Sequence, residues 1–184
     1  MLNKTIMYIS LFALNIFTLS APVFAQERSL AEKPKAINSI YFGSCAKQSK
    51  PMPIFDAIVK DDPEIFVFLG DNIYGDTEDM SVLKEKYETL GRHPGFKKLK
   101  ATSELIAIWD DHDFGLNGGN GVSTSDRKAL TRQGFVEYRA HDQYGNGSGE
   151  GIYHKADMGA IELFMLDPRW FSQTAASPIN AGQS

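Results

Sequence analysis

Apolar residues fall along this chain in short runs, and the main runs stop at a glycine or an acidic residue. Ile65-Phe66-Val67-Phe68-Leu69 has no polar break and ends at Gly70. A run that short with such a stop is the pattern of a strand buried on both faces. Leu105-Ile106-Ala107-Ile108-Trp109 repeats it. Asn38 to Phe42 is a briefer version (Ile40, Tyr41, Phe42) closed by Gly43-Ser44-Cys45. Between the first two strands, Ile54, Phe55, Ile58 and Val59 have helical spacing within Pro53 to Lys60, and Pro53 suits a first turn. Asp61-Asp62-Pro63 ends that helix. Strand, helix and strand in this order make a right-handed crossover with parallel strands.

The remaining pattern is mixed. Met80, Leu83, Tyr87 and Leu90 share a face of a helix from about Asp79 to Leu90, with Gly91 as its stop. Pro94 to Thr102 reads as a second short helix, whose Lys97, Lys98 and Lys100 make a solvated face. Asp126 to about Tyr144 is the longest helix candidate, with Leu130, Phe135, Val136 and Tyr138 as core contacts. Ile152 to Ala156 and Ala160 to Leu166 flank Asp157-Met158-Gly159, a hairpin signal. The expected class is α/β, with a mostly parallel sheet and a β-hairpin near the C-terminus.

The polar residues that interrupt this pattern collect just past strand ends, where ligands bind in open α/β sheets. Cys45 follows the first strand, Asp71 and Tyr74 the second, and Asp110-Asp111-His112-Asp113 the third; Asp167 and Arg169 follow the second hairpin arm, expected as a fourth strand. A carboxylate and a phenolate converging in one crevice repel each other unless a cation lies between them. A metal site is therefore expected; the alternative at Asp71 is a plain strand-to-turn junction with a capping Asp and a surface Tyr. Gly115 to Ser125 is a glycine-rich loop without the Lys of a phosphate-binding P-loop. His93, His141 and His154 stand alone among polar neighbours and read as surface or structural.

Composition changes this picture little. The chain has 184 residues and a formal charge of −4, too mild for a nucleic-acid footprint, so no nucleic acid is expected as a partner. Cys45 is the single cysteine, leaving an intermolecular disulfide, a free thiol or a metal ligand. Residues 1–25 read as a signal peptide: Lys4, an apolar Ile6 to Leu19, then Val23-Phe24-Ala25 before the cleavage point. The apolar run falls short of the roughly 20 residues of a membrane span, so no stable anchor is expected. Residues 26–36 read as a linker, and the product as exported, periplasmic or secreted. Nothing bears on oligomeric state.

Gly43-Ser44-Cys45, Gly70-Asp71-Asn72-Ile73-Tyr74-Gly75-Asp76, Trp109-Asp110-Asp111-His112-Asp113-Phe114-Gly115 and Asp167-Pro168-Arg169 together resemble the PhoD-like alkaline phosphatase/phosphodiesterase family, one of the metallophosphatases. The resemblance runs from about Ile37 to Phe171. It implies the amino-terminal half of an α/β/β/α sandwich over residues 37–184, hydrolysing small phosphoric mono- or diesters. The G-D-x-x-Y element is also similar to that of purple acid phosphatases. By that likeness Cys45, Asp71 and Tyr74 hold Fe(III), and Asp71 is shared with a second, harder ion, Ca²⁺ or another divalent metal. Asp111-His112 lines up with the Asn-His of the metallophosphatase G-N-H-E motif, which makes Asp111 a ligand of the second ion and His112 an acid or transition-state stabiliser.

The donor chemistry is consistent with that assignment. Thiolate and phenolate suit a redox-capable transition metal, and carboxylates suit Ca²⁺ or Mg²⁺. His112 can protonate a departing alkoxide, and Arg169 can grip phosphoryl oxygens in a bidentate fork or pair with Asp167 instead. The family's separate leading β-sandwich has no room between Ala25 and Ile37. Its later motifs, a second Asp set and a Gly-Asp-x-His element, have no counterpart in Ser172 to Ser184, whose segment Gln173 to Asn180 reads as coil. The expectation is thus a domain incomplete at its C-terminal end, with a catalytically incompetent metal- or phosphate-binding fragment as the alternative.

Overall fold

Three parallel strands carry the molecule. β1 (Ile40–Gly43), β2 (Ile65–Leu69) and β3 (Glu104–Ile108) lie in the order β1-β2-β3, with Ile40 opposite Ile65 and Ile65 opposite Glu104. This computed structural model describes residues 36–124, 126–139 and 144–173. The expected signal peptide, most of the linker, His141 and the coil from residue 174 onward lie outside the described residues.

β2 is central, and Ile65, Phe66, Val67 and Phe68 are each at most 2% exposed, as a strand covered on both faces should be. Phe66 and Phe68 share one face by strand alternation and meet edge to face at 4.8 Å. There α1 (Ile54–Asp61) and α3 (Pro94–Thr102) close over them, Phe55 and Phe96 lying 6.4 Å and 6.0 Å from the Phe68 ring. α1 stops where Asp62 turns left-handed at φ 52° and its N–H donates to the Val59 carbonyl.

α2 (Met80–Arg92) starts as expected, capped by Asp79, whose side chain accepts from the Ser81 and Val82 N–H groups. It runs through Gly91 instead of stopping there. The stop belongs to Pro94, which holds His93 in the extended region at ψ 125° and then opens α3. His93 caps α3, a structural role.

Among the described residues α5 covers Lys128–Arg139, 12 residues against the 13 of α2 and less than the expected Asp126 to Tyr144, of which residues 140–143 lie outside the described residues. Tyr144–Gly147 forms a 3₁₀ turn. Leu130, expected in the core, is 44% exposed. The buried stripe of α5 is Thr131, Gly134 and Phe135, spaced as one helical face, and Leu130 sits well round the helix from Phe135. Phe135 meets Trp109 at 5.4 Å and Tyr87 of α2 at 6.5 Å.

β4 (His154–Asp157) and β5 (Glu162–Met165) form the expected antiparallel hairpin. It is not a fourth strand of the parallel sheet: among the described residues the two strands make a sheet of their own. Exposed Leu166 leads from β5 to Asp167, which is fastened elsewhere. Its carboxylate accepts from the Trp109 indole N–H at 2.7 Å and the Ile152 N–H at 2.8 Å. His154 is buried, with Nδ1 2.9 Å from the Ile152 carbonyl, so it is structural and not a surface residue.

Candidate metal centre

Past their carboxyl ends β1 and β2 stay paired. The Cys45 and Ala46 N–H groups donate to the carbonyls of Gly70 and Asp71 at 3.3 Å and 2.8 Å, which sets Cys45 beside Asp71. Cys45 and Asp71 are both left-handed, at φ 63° and 51°, as is Asp76 at φ 50°. Such conformations cost about 1–3 kcal/mol each and persist only where surrounding contacts impose them. Gly70, at φ 110°, is required: a Cβ there would lie 2.6 Å from the Asp110 Cβ. The two strand ends are in direct contact for that reason.

Asp113 supplies the clamp. Fully buried, it accepts from the backbone N–H groups of Asn72 at 3.1 Å, Ile73 at 3.0 Å and Asp110 at 3.1 Å, and from the Asn72 amide at 3.1 Å. One carboxylate thus ties the turn after β2 to α4 (Asp111–Phe114), the short helix after β3. Burial pushes the Asp113 carboxyl up to about 6, against the pull of those donors. The Gly75 N–H donates to the His112 carbonyl at 2.9 Å, and a Cβ on Gly75 would meet that same oxygen at 2.9 Å. Gln48 pins the next turn: its amide accepts from the Tyr74 N–H at 2.8 Å and donates to the Tyr74 carbonyl at 3.2 Å. Neither Asp113 nor Gln48 was assigned a role from sequence. Asp113 stood inside a polar cluster that sequence reads as a unit, and Gln48 carries no local signal.

The clamp brings Asp71, Asp111 and His112 together, with one ligand atom of each within 4.8 Å of the others. Cys45 lies beside this group, its thiol donating to Asp71 Oδ2 at 3.5 Å. The Tyr74 ring lies against the His112 ring, tilted by 33° with centroids 4.0 Å apart. Its phenol is pushed up to about 12 by burial, by its bond to Cys45 and by the nearby acidic groups. Burial likewise raises the Asp71 carboxyl, although His112 and Cys45 pull it down. Asp71 Oδ1 is buried and has no hydrogen-bond partner among the described residues. A buried carboxylate oxygen left without a donor, next to a thiol and a phenol, is what a cation would repay. The residues fit a metal.

His112 is set by Asp76, whose carboxylate lies 2.5 Å from Nδ1. Burial would lower the His112 pKa, but the Asp76 bond and the charges of Asp71 and Asp111 outweigh it and hold the imidazolium above its ordinary range. Asp111 is held below the carboxylate range despite burial, by the Gly118 N–H at 2.6 Å and by Arg169 and His112. Arg169 does not pair with Asp167 through its guanidinium. Nε donates to Asp110, Nη2 to Asp111 at 3.5 Å and Nη1 to the Gly119 carbonyl at 3.2 Å. Asp167 accepts the Arg169 and Trp170 N–H groups, both at 2.9 Å, and so positions the loop that delivers the guanidinium. All six residues singled out from sequence therefore lie past the strand ends, where Asp71, Asp111 and His112 converge and Cys45 is exposed beside them.

Fold and geometry define an α/β domain with a candidate metal site past the carboxyl ends of its parallel strands. The family model of the PhoD-like phosphatases matches residues 40–183, and the chain belongs to that family. The solved structure of PhoD is similar to it in fold, with a TM-score of 0.64 at 17% sequence identity, over 76% of this chain and 33% of that one. The chain thus spans about a third of the length of that structure. None of the curated proteins compared with the chain matches it.

Proposed function

We propose that this chain contributes to an exported, metal-dependent phosphoric ester hydrolase of the alkaline phosphatase/phosphodiesterase type. The observation that carries the reading is the unpartnered, buried Asp71 Oδ1 within the Asp71–Asp111–His112 group. Asp71 would hold two ions in common, Cys45 and Tyr74 completing the side that suits Fe(III) and Asp111 the side that suits Ca²⁺ or another divalent ion. When bound, such a pair supplies positive charge against the phosphoryl group and makes water acidic enough to attack at working pH.

The chain's own residues do the rest. As water attacks phosphorus and the ester P–O bond breaks, the departing alkoxide takes a proton from His112. Asp76, on Nδ1, keeps that imidazole protonated and oriented. Arg169 has N–H donors beyond those given to Asp110, Asp111 and Gly119, and these can grip equatorial phosphoryl oxygens. Asp110 and Asp111 hold the guanidinium in place before substrate arrives, which avoids ordering it in the transition state. The substrate is a small phosphate ester. Export rests on the pattern of residues 1–25; no helix among the described residues is long and apolar enough to cross a membrane.

A second reading is favoured by the size of the cluster: two ions of this kind need about five or six donors each, more than Asp71, Asp111, His112, Cys45 and Tyr74 provide. On that reading the chain binds metal or phosphate without turnover. The two are separated by loading the chain with iron and Ca²⁺ and assaying an aryl phosphate and a bis-aryl phosphodiester beside His112→Ala. Turnover well above the variant supports the hydrolase. A tyrosinate-to-iron absorption band, lost in Tyr74→Phe and unaccompanied by turnover, supports the binding fragment. A colourless chain that takes up zinc alone defeats the iron assignment.

A further inference from the structure

The amino-terminal end of β3 borders a cavity of about 230 Å³ lined by Phe96, Lys100, Ser103, Leu105, Tyr138 and Arg139. Arg139 is the unusual member. Its guanidinium carbon lies 4.6 Å from the centre of the Phe68 ring and 5.3 Å from that of Phe96, so the cation rests on two aromatic rings. Its Nε and Nη2 are buried, and neither has a hydrogen-bond partner among the described residues. Burial pulls its pKa down, and the Asp113 carboxyl and the phenols of Tyr87 and Tyr144, none of them hydrogen-bonded to it, oppose that electrostatically. A buried charge whose donors go unmet is costly unless a counter-charge reaches it.

We propose that this cavity is a small-oxyanion site, in which Arg139 and Lys100 bind an ion such as inorganic phosphate apart from the metal centre. Two cationic side chains line it and, among the described residues, no carboxylate does, so an anion finds both a charge and donors there. A guanidinium carries a fork of N–H donors that matches a tetrahedral or planar oxyanion, and an ammonium adds a mobile point charge. Ser103 takes no part in recognition, because its hydroxyl donates to the Pro63 carbonyl at 2.7 Å. At roughly 30 Å³ per water the cavity has room for the ion together with several waters. The residues that line this cavity include none of the metal-centre residues.

The test is thermal unfolding of the full chain in chelator, titrated with inorganic phosphate against chloride at matched ionic strength. The expected result is a saturable rise of about 3–5 °C at a tenfold excess over Kd. The rise should persist in Arg169→Gln, which removes the anion-binding group of the metal centre. It should vanish in Arg139→Met, and Lys100→Gln, on the exposed side of α3, should weaken phosphate about threefold without altering the ion-free melting point. A rise abolished by Arg169→Gln and kept in Lys100→Gln would place phosphate in the metal centre and overturn the proposal. So would a phosphate response no larger than that of chloride.

Discussion

Arg169 and Arg139 are treated in opposite ways. Arg169 is met by two carboxylates and a carbonyl, and burial is outweighed so that its pKa stands above the ordinary value. Arg139 is laid on two phenyl rings with two nitrogens unmet, and its pKa falls. Past the carboxyl ends of the strands, Asp71 Oδ1 and the Asn72 amide oxygen are buried without a partner among the described residues; in the pocket at the amino end of β3, Nε and Nη2 of Arg139 are. The two charged groups among these, Asp71 and Arg139, each point to a ligand of the opposite charge. The comparison shows that an unmet buried group indicates a ligand most clearly when it carries a charge.

The largest expected effect on activity comes from breaking the saturated end at Arg169. In a metal-loaded, active protein, Arg169→Ala is expected to lower turnover about 10²-fold, and Arg169→Lys to recover little of it, because an ammonium cannot reproduce the fork. Steady-state kinetics on the aryl phosphate checks this; equal turnover by Arg169→Lys would remove the bidentate role.

The network's centre is tested by stability. Asp113→Ala strips four donors of their acceptor and is expected to cost about 2–4 kcal/mol in urea unfolding. A cost near zero would show that Asn72 and Ile73 hold the turn without it.

The same carboxyl gives a pH signature. Its folded pKa of about 6 stands above the ordinary 3.8, so its contribution is fully present below the unfolded value and is lost as pH rises through about 6. Between pH 5 and 7.5 the metal-free chain should lose on the order of 1 kcal/mol through this group, and His112, also raised, adds in the same direction. Asp113→Ala should flatten that slope. A wild-type chain that gains stability over this interval contradicts the burial of the carboxyl.

The smallest effects sharpen the contrast. In ion-free buffer Arg139→Met should raise stability by about 1 kcal/mol, since a hydrophobic side chain replaces an unpaired buried charge, whereas Arg169→Met should lower it. Gln48→Leu should cost about 1 kcal/mol and, with iron bound, shift the tyrosinate band, because Tyr74 loses the amide that fixes its backbone. A band unmoved by Gln48→Leu would mean that the His112 ring alone orients Tyr74.

Local pattern carried the sequence a long way. The apolar run Ile65–Leu69 and its glycine stop foretell a buried parallel strand, because a strand without polar interruptions has no wet face. The order of strand-end motifs foretells the crevice, since parallel strands all deliver their next residues to one edge. The start of α2 near Asp79 and Pro94 as a helix opener were also readable, the latter in place and not yet as the reason α2 ends. What sequence could not settle depended on which surfaces meet. Leu130 is apolar and on a helix, yet only the packing of α5 on Trp109 and Tyr87 selects Phe135's face over its own. The hairpin signal was local and correct, but whether β4 and β5 join the parallel sheet is a non-local pairing. The Asp113 clamp and the Gln48 pin join residues 41 and 26 positions apart, and Arg139 on Phe68 spans α5 and β2. Such contacts leave no periodicity in the chain, because hydrogen-bond and ring geometry are satisfied in space and not along the sequence.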